Sequence, residues 1–348
     1  MKRFEHHNAR SIRDAVRLLN HYKGKAKVNA GGTDLLGALR DRVFAEYPDA
    51  VINIKTIDGL DYIRHDKKVL KIGALASLTD IANPPAVKEE YKLLAEAAHS
   101  VATPLVRNMA TIGGNLAQDV RCWFYRYPSR IGGPMVCLRK GGKFCSALAG
   151  DDRYHSIFGA AGLTEHPPAD HPTTGTHIPS YPSRVRKGCF AVNPSDIAVA
   201  LIALDARIVT TKRSLLAEVF FTATATSSTV LEADELIKEI RIPKPPVGAK
   251  QAYEKFTLRK PIDFAIVSVA SVLRVDNGVC KDARIVLGGV APEPVRVRNA
   301  EELIKGRAVD KDMAEEAANH ALAGAKPLKM NHYKVEIAKA LMKRAILG

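Results

Sequence analysis

The sequence contains no long apolar run. No stretch approaches the roughly 20 apolar residues that a membrane-spanning helix requires, so we expect no membrane span. The first ten residues, MKRFEHHNAR, are polar at the place where a secretory signal would turn apolar. The sequence therefore predicts a cytoplasmic protein.

Cysteine is also scarce, with five residues in the chain of 348. In a reducing compartment so few thiols give little support for disulfides, and they indicate metal or redox chemistry where they cluster. Three of them, Cys122, Cys137 and Cys145, share a stretch rich in Arg, Lys and Gly with the only tryptophan. That stretch has neither helical nor strand periodicity. A Pro-, Thr- and His-rich stretch, 160–188, follows it and is predicted to be a surface loop.

The spacing of these cysteines with Cys189 is C-x14-C-x7-C-x43-C. Zinc sites usually pair their cysteines about two to four residues apart, so this spacing is a poor zinc signature. Thiolates supplied singly from an irregular loop can instead reach the corners of an iron–sulfur cube. Cys280 follows a predicted hairpin turn, and we interpret it as a structural thiol. The loop histidines are His166, His171 and His177, for which a solvated loop is a better interpretation than a metal site.

Motifs of several other protein classes are missing. The net charge of +15 raises the question of nucleic-acid binding. However, the basic residues are scattered, and no RNP, zinc-finger or helix-turn-helix spacing is present, so we expect no nucleic-acid partner. There is also no GxGxxG fingerprint, Walker lysine, Ser/His/Asp triad or HExxH motif. We therefore predict no catalytic residue in this chain.

The periodicity predicts an α+β protein. Residues 1–248 alternate predicted strands and helices, beginning with a helix capped by Ser11. From residue 249, three successive strands are predicted, and Asn277–Gly278 has the composition of a tight hairpin turn between the last two. Amphipathic helices with glycine stops follow. The sequence thus predicts a second domain over residues 249–348.

Two glycine pairs are the most informative local motifs. In KVNAGGTDLL a predicted strand runs into Gly31–Gly32 and then into a helix. Glycine allows positive φ, so successive backbone N–H groups can point into one concavity, and the helix N-terminus adds positive potential. NMATIGGNL places Gly113–Gly114 in a second turn, which we expect to expose its backbone. Such turns suit a pyrophosphate, although a capped turn without a ligand is the alternative for either motif alone.

Six motifs occur in an order that resembles a known family: AGGTDLL, IGALASLTDIA, VRNMATIGGNL, PSDIAVALIALDA, EKFTLRKPIDFAIVSVA and LGGVAPEPVRV. Together they resemble the FAD-binding medium subunit of the molybdenum hydroxylases, the family of xanthine dehydrogenase, aerobic carbon monoxide dehydrogenase and 4-hydroxybenzoyl-CoA reductase. The resemblance covers nearly the whole chain. It implies a two-subdomain FAD-binding fold in residues 1–248, with an inserted iron–sulfur segment at 120–190. Residues 249–348 are then a C-terminal domain of a three-stranded antiparallel sheet and a helical bundle.

The resemblance also implies roles for particular residues. Asp196 and Ile237 would contact the adenosine part of FAD. Lys255 would lie near the isoalloxazine ring, where a cation stabilises negative charge on the reduced ring. Both glycine motifs would hold the pyrophosphate and ribose through backbone N–H groups. Their residues are Val28, Asn29, Ala30, Gly31, Gly32, Thr33, Asp34 and Leu35 in the first motif, and Thr111, Ile112, Gly113, Gly114 and Asn115 in the second.

About 80 residues separate Asn115 from Asp196, where most medium subunits of the resembled family have a short connection. This insertion resembles that of the 4-hydroxybenzoyl-CoA reductase type and of some aldehyde oxidoreductases. The resemblance implies a 4Fe-4S cluster whose ligands are Cys122, Cys137, Cys145 and Cys189. The fourth position departs from the pattern, because in the relatives the last cysteine follows the third closely. His155 is therefore the alternative to Cys189.

The leading interpretation is an electron-transfer subunit with FAD and a 4Fe-4S cluster, in a multi-subunit molybdenum hydroxylase or reductase. Its expected partners are a 2Fe-2S small subunit and a molybdenum-cofactor large subunit. Basic residues around the thiols are expected to offset the cluster's charge and to attract an acidic ferredoxin-like electron carrier. They are Arg121, Arg126, Arg139, Lys140, Lys143 and Lys187. The alternative is a basic zinc-binding interaction protein or nucleic-acid-binding protein.

Overall fold

The computed structural model describes residues 1–128, 135, 137–161, 188–260 and 262–348. Within these ranges the strands form three sheets, and no helix is both long and apolar enough to cross a membrane. The loop histidines and Lys187 lie outside the described residues, so the predictions made for them stay predictions.

The first sheet is parallel and leads into the first glycine motif. Its order is β1-β3-β2, with β1 at Glu5–Asn8, β2 at Ala26–Asn29 and β3 at Ala50–Asn53. Helix α1 (Ile12–Tyr22) packs against this sheet. The Ser11 hydroxyl caps α1 by accepting a hydrogen bond from the backbone N–H of Asp14 at 3.1 Å, as the sequence predicts.

The second sheet is antiparallel and forms the centre of the largest core. Its order is β4-β5-β8-β6-β7, with β4 at Ile63–His65, β5 at Val69–Gly73, β6 at Arg207–Thr210, β7 at Ser214–Leu216 and β8 at Ile237–Pro243. The helices in this part of the chain are α2 (Leu35–Arg40), α3 (Leu78–Ala82), α4 (Pro85–Glu90), α5 (Lys92–His99), α6 (Pro104–Met109), α7 (Ile112–Leu116), α9 (Asp196–Ala203) and α10 (Ala217–Phe220). Every residue of α9 is buried.

The Pro84–Pro85 pair in the sequence predicts two helices, but the structure has three, α3, α4 and α5. Pro85 begins α4, as expected. The additional break falls at Tyr91, whose backbone is not helical and whose side chain is fully buried in the core. Burial of this aromatic ring therefore interrupts a stretch whose composition favours one continuous helix.

The C-terminal sheet has four strands, so the prediction of three is wrong. Its order is β12-β11-β10-β9, with β9 at Lys250–Phe256, β10 at Val267–Asp276, β11 at Val279–Gly288 and β12 at Val295–Arg296. β12 has two residues, too few to show an alternating pattern. Asn277 and Gly278 both have positive φ, 48° and 78°, which confirms the predicted tight turn. The helices that follow are α11 (Arg298–Ile304), α12 (Lys311–Leu322) and α13 (Tyr333–Leu347).

The inserted segment is irregular where it is described, and it contacts both domains. It contains helix α8 (Trp123–Arg126) and two short 3-10 turns, Leu138–Lys140 and Ser146–Leu148. Ile157 and Phe158 lie in the core of the C-terminal domain. The insertion therefore contacts both domains. Its sequence contains no pattern that predicts this contact.

A buried lysine of α13 fixes this contact. The Lys334 side chain donates to the backbone carbonyl oxygens of His155 at 3.0 Å and Tyr154 at 3.4 Å, and also to that of Gly289. Asn331 donates to the carbonyl oxygens of His155 and Ser156. These bonds hold the end of the insertion in place and satisfy carbonyl groups that would otherwise be buried without partners.

Candidate functional site

One cavity brings both glycine motifs together with the other predicted site residues. Of the predicted FAD-contacting residues, all but Asn29 and Ile112 line it, including Asp196, Ile237 and Lys255. The sequence did not identify the rest of the lining, which includes Asp119, Arg121, Tyr125, Arg126, Thr226, Ser227, Ser228, Thr229 and Phe264. The insertion thus supplies part of the wall of this cavity.

The two glycines of the first motif serve different purposes. Gly32 has φ +74°, the left-handed conformation predicted for the turn. Gly31 does not, but a Cβ at that position would overlap the carbonyl oxygen of Met109, at the end of α6. Gly31 therefore lets the first motif approach the chain that leads into the second motif.

The backbone N–H groups of Gly31, Gly32, Thr33 and Asp34 donate no hydrogen bond to any other described residue. They lie on the cavity wall just before α2 begins at Leu35. Unpaired backbone donors at a helix N-terminus are the groups that hold phosphate oxygens in nucleotide sites. The first motif therefore fits the pyrophosphate of a dinucleotide.

The second motif is the first turn of α7 and not an exposed turn. The Thr111 hydroxyl accepts from the N–H of Gly114 at 3.2 Å, while the N–H of Ile112 donates to Ala76 and that of Gly113 to Ala74. The expected backbone donors are therefore already engaged inside the protein. Gly114 has its open side toward the cavity, because a Cβ there would meet only the Thr111 hydroxyl within 4 Å.

The Asp34 side chain turns away from its own helix toward the insertion. Its carboxylate accepts from Arg126 at 2.9 Å and 3.1 Å and pairs with Arg121 at 2.9 Å. Burial alone would raise the pKa of Asp34, but the two guanidinium groups outweigh it and hold the pKa below its usual value. Asp34 is therefore ionised at neutral pH and anchors both arginines beside the cavity.

Asp119 is a second acidic anchor, and the sequence analysis missed it. Its carboxylate accepts from Arg139 at 2.8 Å, from the Ser228 hydroxyl at 2.5 Å and from the Tyr125 hydroxyl at 2.5 Å. Its backbone N–H donates to Asp34 at 3.2 Å. A lone aspartate between two motifs has no pattern in the sequence that would identify it.

Asp196 and Lys255 form a buried ion pair, with 2.7 Å between Nζ and Oδ2. The Tyr253 hydroxyl donates to the other carboxylate oxygen at 2.5 Å, and burial, followed by the Asp196 charge, raises the pKa of Tyr253 well above its usual value. Because they touch, Asp196 and Lys255 face the same part of the cavity.

Beyond Asp119 and Arg139, Cys189 packs in one hydrophobic cluster with Cys122 and Cys137, while Cys145 belongs to another cluster. Cys189 interacts electrostatically with Cys122, Cys137 and Cys145, which are far from it in sequence. Burial raises the pKa of Cys122 to about 12 and raises the pKa of the Cys137 and Cys145 thiols. Without a bound metal these three sulfurs are therefore protonated at neutral pH. Cys280 is buried in the C-terminal core, which agrees with its interpretation as structural.

Two nitrogen atoms contact this group of thiols. Arg139 Nε donates to Cys189 Sγ at 3.3 Å, and His155 Nε2 lies 3.2 Å from Cys122 Sγ. His155 is almost fully buried, and its Nδ1 has no hydrogen-bond partner among the described residues. Within those residues, no group of three or more His, Cys, Asp or Glu is placed to hold a single metal ion.

The cavity and its lining are those of a nucleotide-cofactor site, and comparison with known proteins identifies the cofactor. A family model described as the FAD binding domain in molybdopterin dehydrogenase matches residues 2–245. A second, described as the CO dehydrogenase flavoprotein C-terminal domain, matches residues 251–348. The chain therefore belongs to the family of FAD-binding subunits of molybdenum-containing dehydrogenases, and it is an oxidoreductase subunit.

Individual relatives agree with this assignment. The chain is 31% identical over 350 residues to the aldehyde oxidoreductase FAD-binding subunit PaoB of Escherichia coli, covering 97% of this chain and 96% of that one. It is 29% identical over 352 residues to the carbon monoxide dehydrogenase medium chain of Hydrogenophaga pseudoflava, covering 99% and 96%. The solved carbon monoxide dehydrogenase of H. pseudoflava has a TM-score of 0.72 at 28% identity, covering 99% and 96%.

The close approach at Gly31 generates a first prediction. Gly31→Ala should destabilise the protein by roughly 2–3 kcal/mol, since the methyl group overlaps a backbone carbonyl that cannot move freely, and it should lower the bound FAD per chain. Gly37→Ala is the matched control, because that glycine is inside α2 with nothing within 4 Å of a Cβ. The control should gain about 0.5–1 kcal/mol and keep its FAD. Thermal unfolding and flavin absorbance measure both effects, and equal FAD content in the two variants would contradict the prediction.

Proposed function

We propose that this chain relays electrons between an external redox partner and the other subunits of a molybdenum hydroxylase or reductase, using FAD and one 4Fe-4S cluster. The observation that carries the proposal is the contact between the two sites. Arg139 touches Cys189 and also pairs with Asp119, which lines the flavin cavity. Electron transfer requires the two redox groups to be close, and this contact would make a flavin in the cavity and a cluster on the thiols neighbours.

For FAD, the proposed binding residues follow from the hydrogen-bond inventory. The N–H groups of Gly31 to Asp34 would hold the pyrophosphate, because they are unpaired among the described residues. The second motif would shape the cavity through the open face of Gly114. Ile237 and the Asp196–Lys255 pair would contact one further part of the cofactor. When bound, FAD supplies the ability to accept and release electrons singly or in pairs.

For the cluster, the proposed ligands are Cys122, Cys137, Cys145 and Cys189, in an insertion of the 4-hydroxybenzoyl-CoA reductase type. The support is the electrostatic interaction of Cys189 with the other three thiols, the burial of Cys137, Cys145 and Cys189, and the two nitrogen atoms beside the sulfurs. Zinc is less suitable, because zinc sites usually pair their cysteines about two to four residues apart and these cysteines are spaced C-x14-C-x7-C-x43-C. When bound, a 4Fe-4S cluster carries single electrons.

Ligand identity is tested by three substitutions. Cys189→Ser should remove roughly four irons per chain and leave FAD in place, because the cluster loses one of its four thiolates. His155→Ala should keep its iron, because we assign this ring as a neighbour of Cys122 and not as a ligand. Cys280→Ser is the matched control, a buried thiol in the other domain. The measurements are iron, zinc, acid-labile sulfide and flavin content of anaerobically purified protein.

Iron that survives Cys189→Ser and disappears with His155→Ala would reverse the ligand assignment. Stoichiometric zinc and no iron in the unsubstituted protein would favour the alternative of a zinc-binding interaction protein. FAD without metal would leave the flavoprotein assignment in place and remove the cluster.

We propose a 2Fe-2S small subunit and a molybdenum-cofactor large subunit as partners. The support is that relatives covered almost end to end are named as FAD-binding subunits or medium chains of larger enzymes. Co-expression with the genes adjoining its own should therefore give one complex containing molybdenum, iron and flavin. Size-exclusion chromatography with metal analysis measures this, and a chain that elutes alone would contradict it.

An acidic ferredoxin-like carrier is the proposed external redox partner, with a smaller docking surface than the sequence implies. Arg121, Arg126 and Arg139 pair inside the protein with Asp34 and Asp119. Lys143 is exposed in the described part of the insertion.

Lys143→Glu should slow electron transfer to an acidic ferredoxin severalfold at low salt, by reversing a charge that attracts the partner. Lys311→Glu, an equal charge change at an exposed residue of α12, should not. Equal stopped-flow rates for the two variants would contradict the proposal.

A further inference from the structure

Arg139 has a position that neither the flavin site nor the thiol ligands alone explain. Its side chain is 2% exposed although it carries a permanent charge. The Nη1 atom donates to Asp119 at 2.8 Å and to the carbonyl oxygen of Thr226 at 3.2 Å, and Nη2 donates to that of Ser227 at 3.2 Å. These three acceptors fix the plane of the guanidinium group. The remaining Nε–H is thereby directed at Cys189 Sγ.

A directed N–H bond to a ligand sulfur has a defined electronic effect. It withdraws electron density from the thiolate, so an added electron on the cluster is stabilised and the reduction potential rises. The Asp119 carboxylate offsets much of the positive charge of Arg139 at longer range. The effect on the sulfur therefore depends mainly on the orientation of the Nε–H bond. That orientation requires a planar guanidinium group that donates to several acceptors at once.

We infer that Arg139 is a positioning residue that fixes Cys189 and raises the reduction potential of the cluster beside the flavin cavity. This inference rests on the proposed cluster and deepens it, because it assigns the tuning of that cluster to a residue that also borders the flavin site. No proton moves and no covalent bond changes in this role.

The test uses the co-purified complex with a redox titration followed by the electron paramagnetic resonance of the reduced cluster. Arg139→Lys keeps the positive charge near Asp119 but lacks the fork, and Arg139→Met removes both. Both variants should show a more negative midpoint potential, by about a tenfold change in the equilibrium constant, which is about 59 mV for one electron. Arg153→Met is the matched control, since Arg153 lies in the same insertion, is 52% exposed and pairs only with its neighbour Asp151. It should titrate like the unsubstituted complex.

A further variant gives the opposite sign and does not remove Arg139. Asp119→Asn deletes the negative charge that compensates the guanidinium, so the midpoint potential should become more positive. This variant keeps the inference testable where the Arg139 variants lose their iron. A merely structural role for Arg139 would change stability or iron content in both variants but would not produce shifts of opposite sign.

The outcomes distinguish the inferred role of Arg139 from the proposed cluster on which it rests. Full iron with unchanged potentials in both Arg139→Lys and Asp119→Asn would overturn the inference and leave the cluster assignment standing. Iron absent from the unsubstituted complex would overturn the cluster assignment and the inference together. A negative shift in the Arg139 variants together with a positive shift in Asp119→Asn, with an unchanged control, supports the inference; where the Arg139 variants lose their iron, the sign of the Asp119→Asn shift decides.

Discussion

Asp119 connects the first glycine motif, the insertion and the segment that contains Ser228. It lies where the chain leaves the second glycine motif and enters the insertion, and it accepts hydrogen bonds from Arg139, Tyr125 and Ser228. The Asp119 side chain is 26% exposed, and these three donors supply the pairing that a partly buried carboxylate requires. The backbone N–H of Asp119 donates to the Asp34 carboxylate, so the first glycine motif is bonded to the same residue. The cavity lined by the glycine motifs and the Cys189 thiol consequently lie on two sides of one hydrogen-bonded wall.

This arrangement explains how an irregular insertion can be positioned without regular secondary structure. Its two ends meet at a backbone bridge between Arg121 and Val192, close to where α7 ends and α9 begins. Its far part is held by Lys334 of the C-terminal domain. Between these fixed points the described part of the insertion contains only α8 and two short 3-10 turns as regular structure.

The sequence was most predictive where a structural requirement is local. The cap at Ser11 and the turn at Asn277–Gly278 depend on neighbouring residues alone, and both were predicted correctly. The turn at the first glycine motif was predicted correctly, but the second motif was wrongly expected to expose its backbone, because the N–H groups of Ile112 and Gly113 find acceptors in the distant Ala76 and Ala74. The anchors Asp119 and Tyr253 were missed for the same reason. Their partners are distant in sequence, so no pattern of spacing records them.

Long-range pairing also changes the interpretation of the basic residues in the insertion. Arg121, Arg126 and Arg139 look like a basic surface in the sequence, yet each faces Asp34 or Asp119 inside the protein. Among these described side chains, three guanidinium groups meet two carboxylates, which leaves one positive charge in excess. Asp34 pairs with two of these guanidinium groups and Asp119 with one, so the excess lies beside Asp34, on the wall of the cavity, and not at Arg139. A net positive charge there favours an anionic ligand in the cavity.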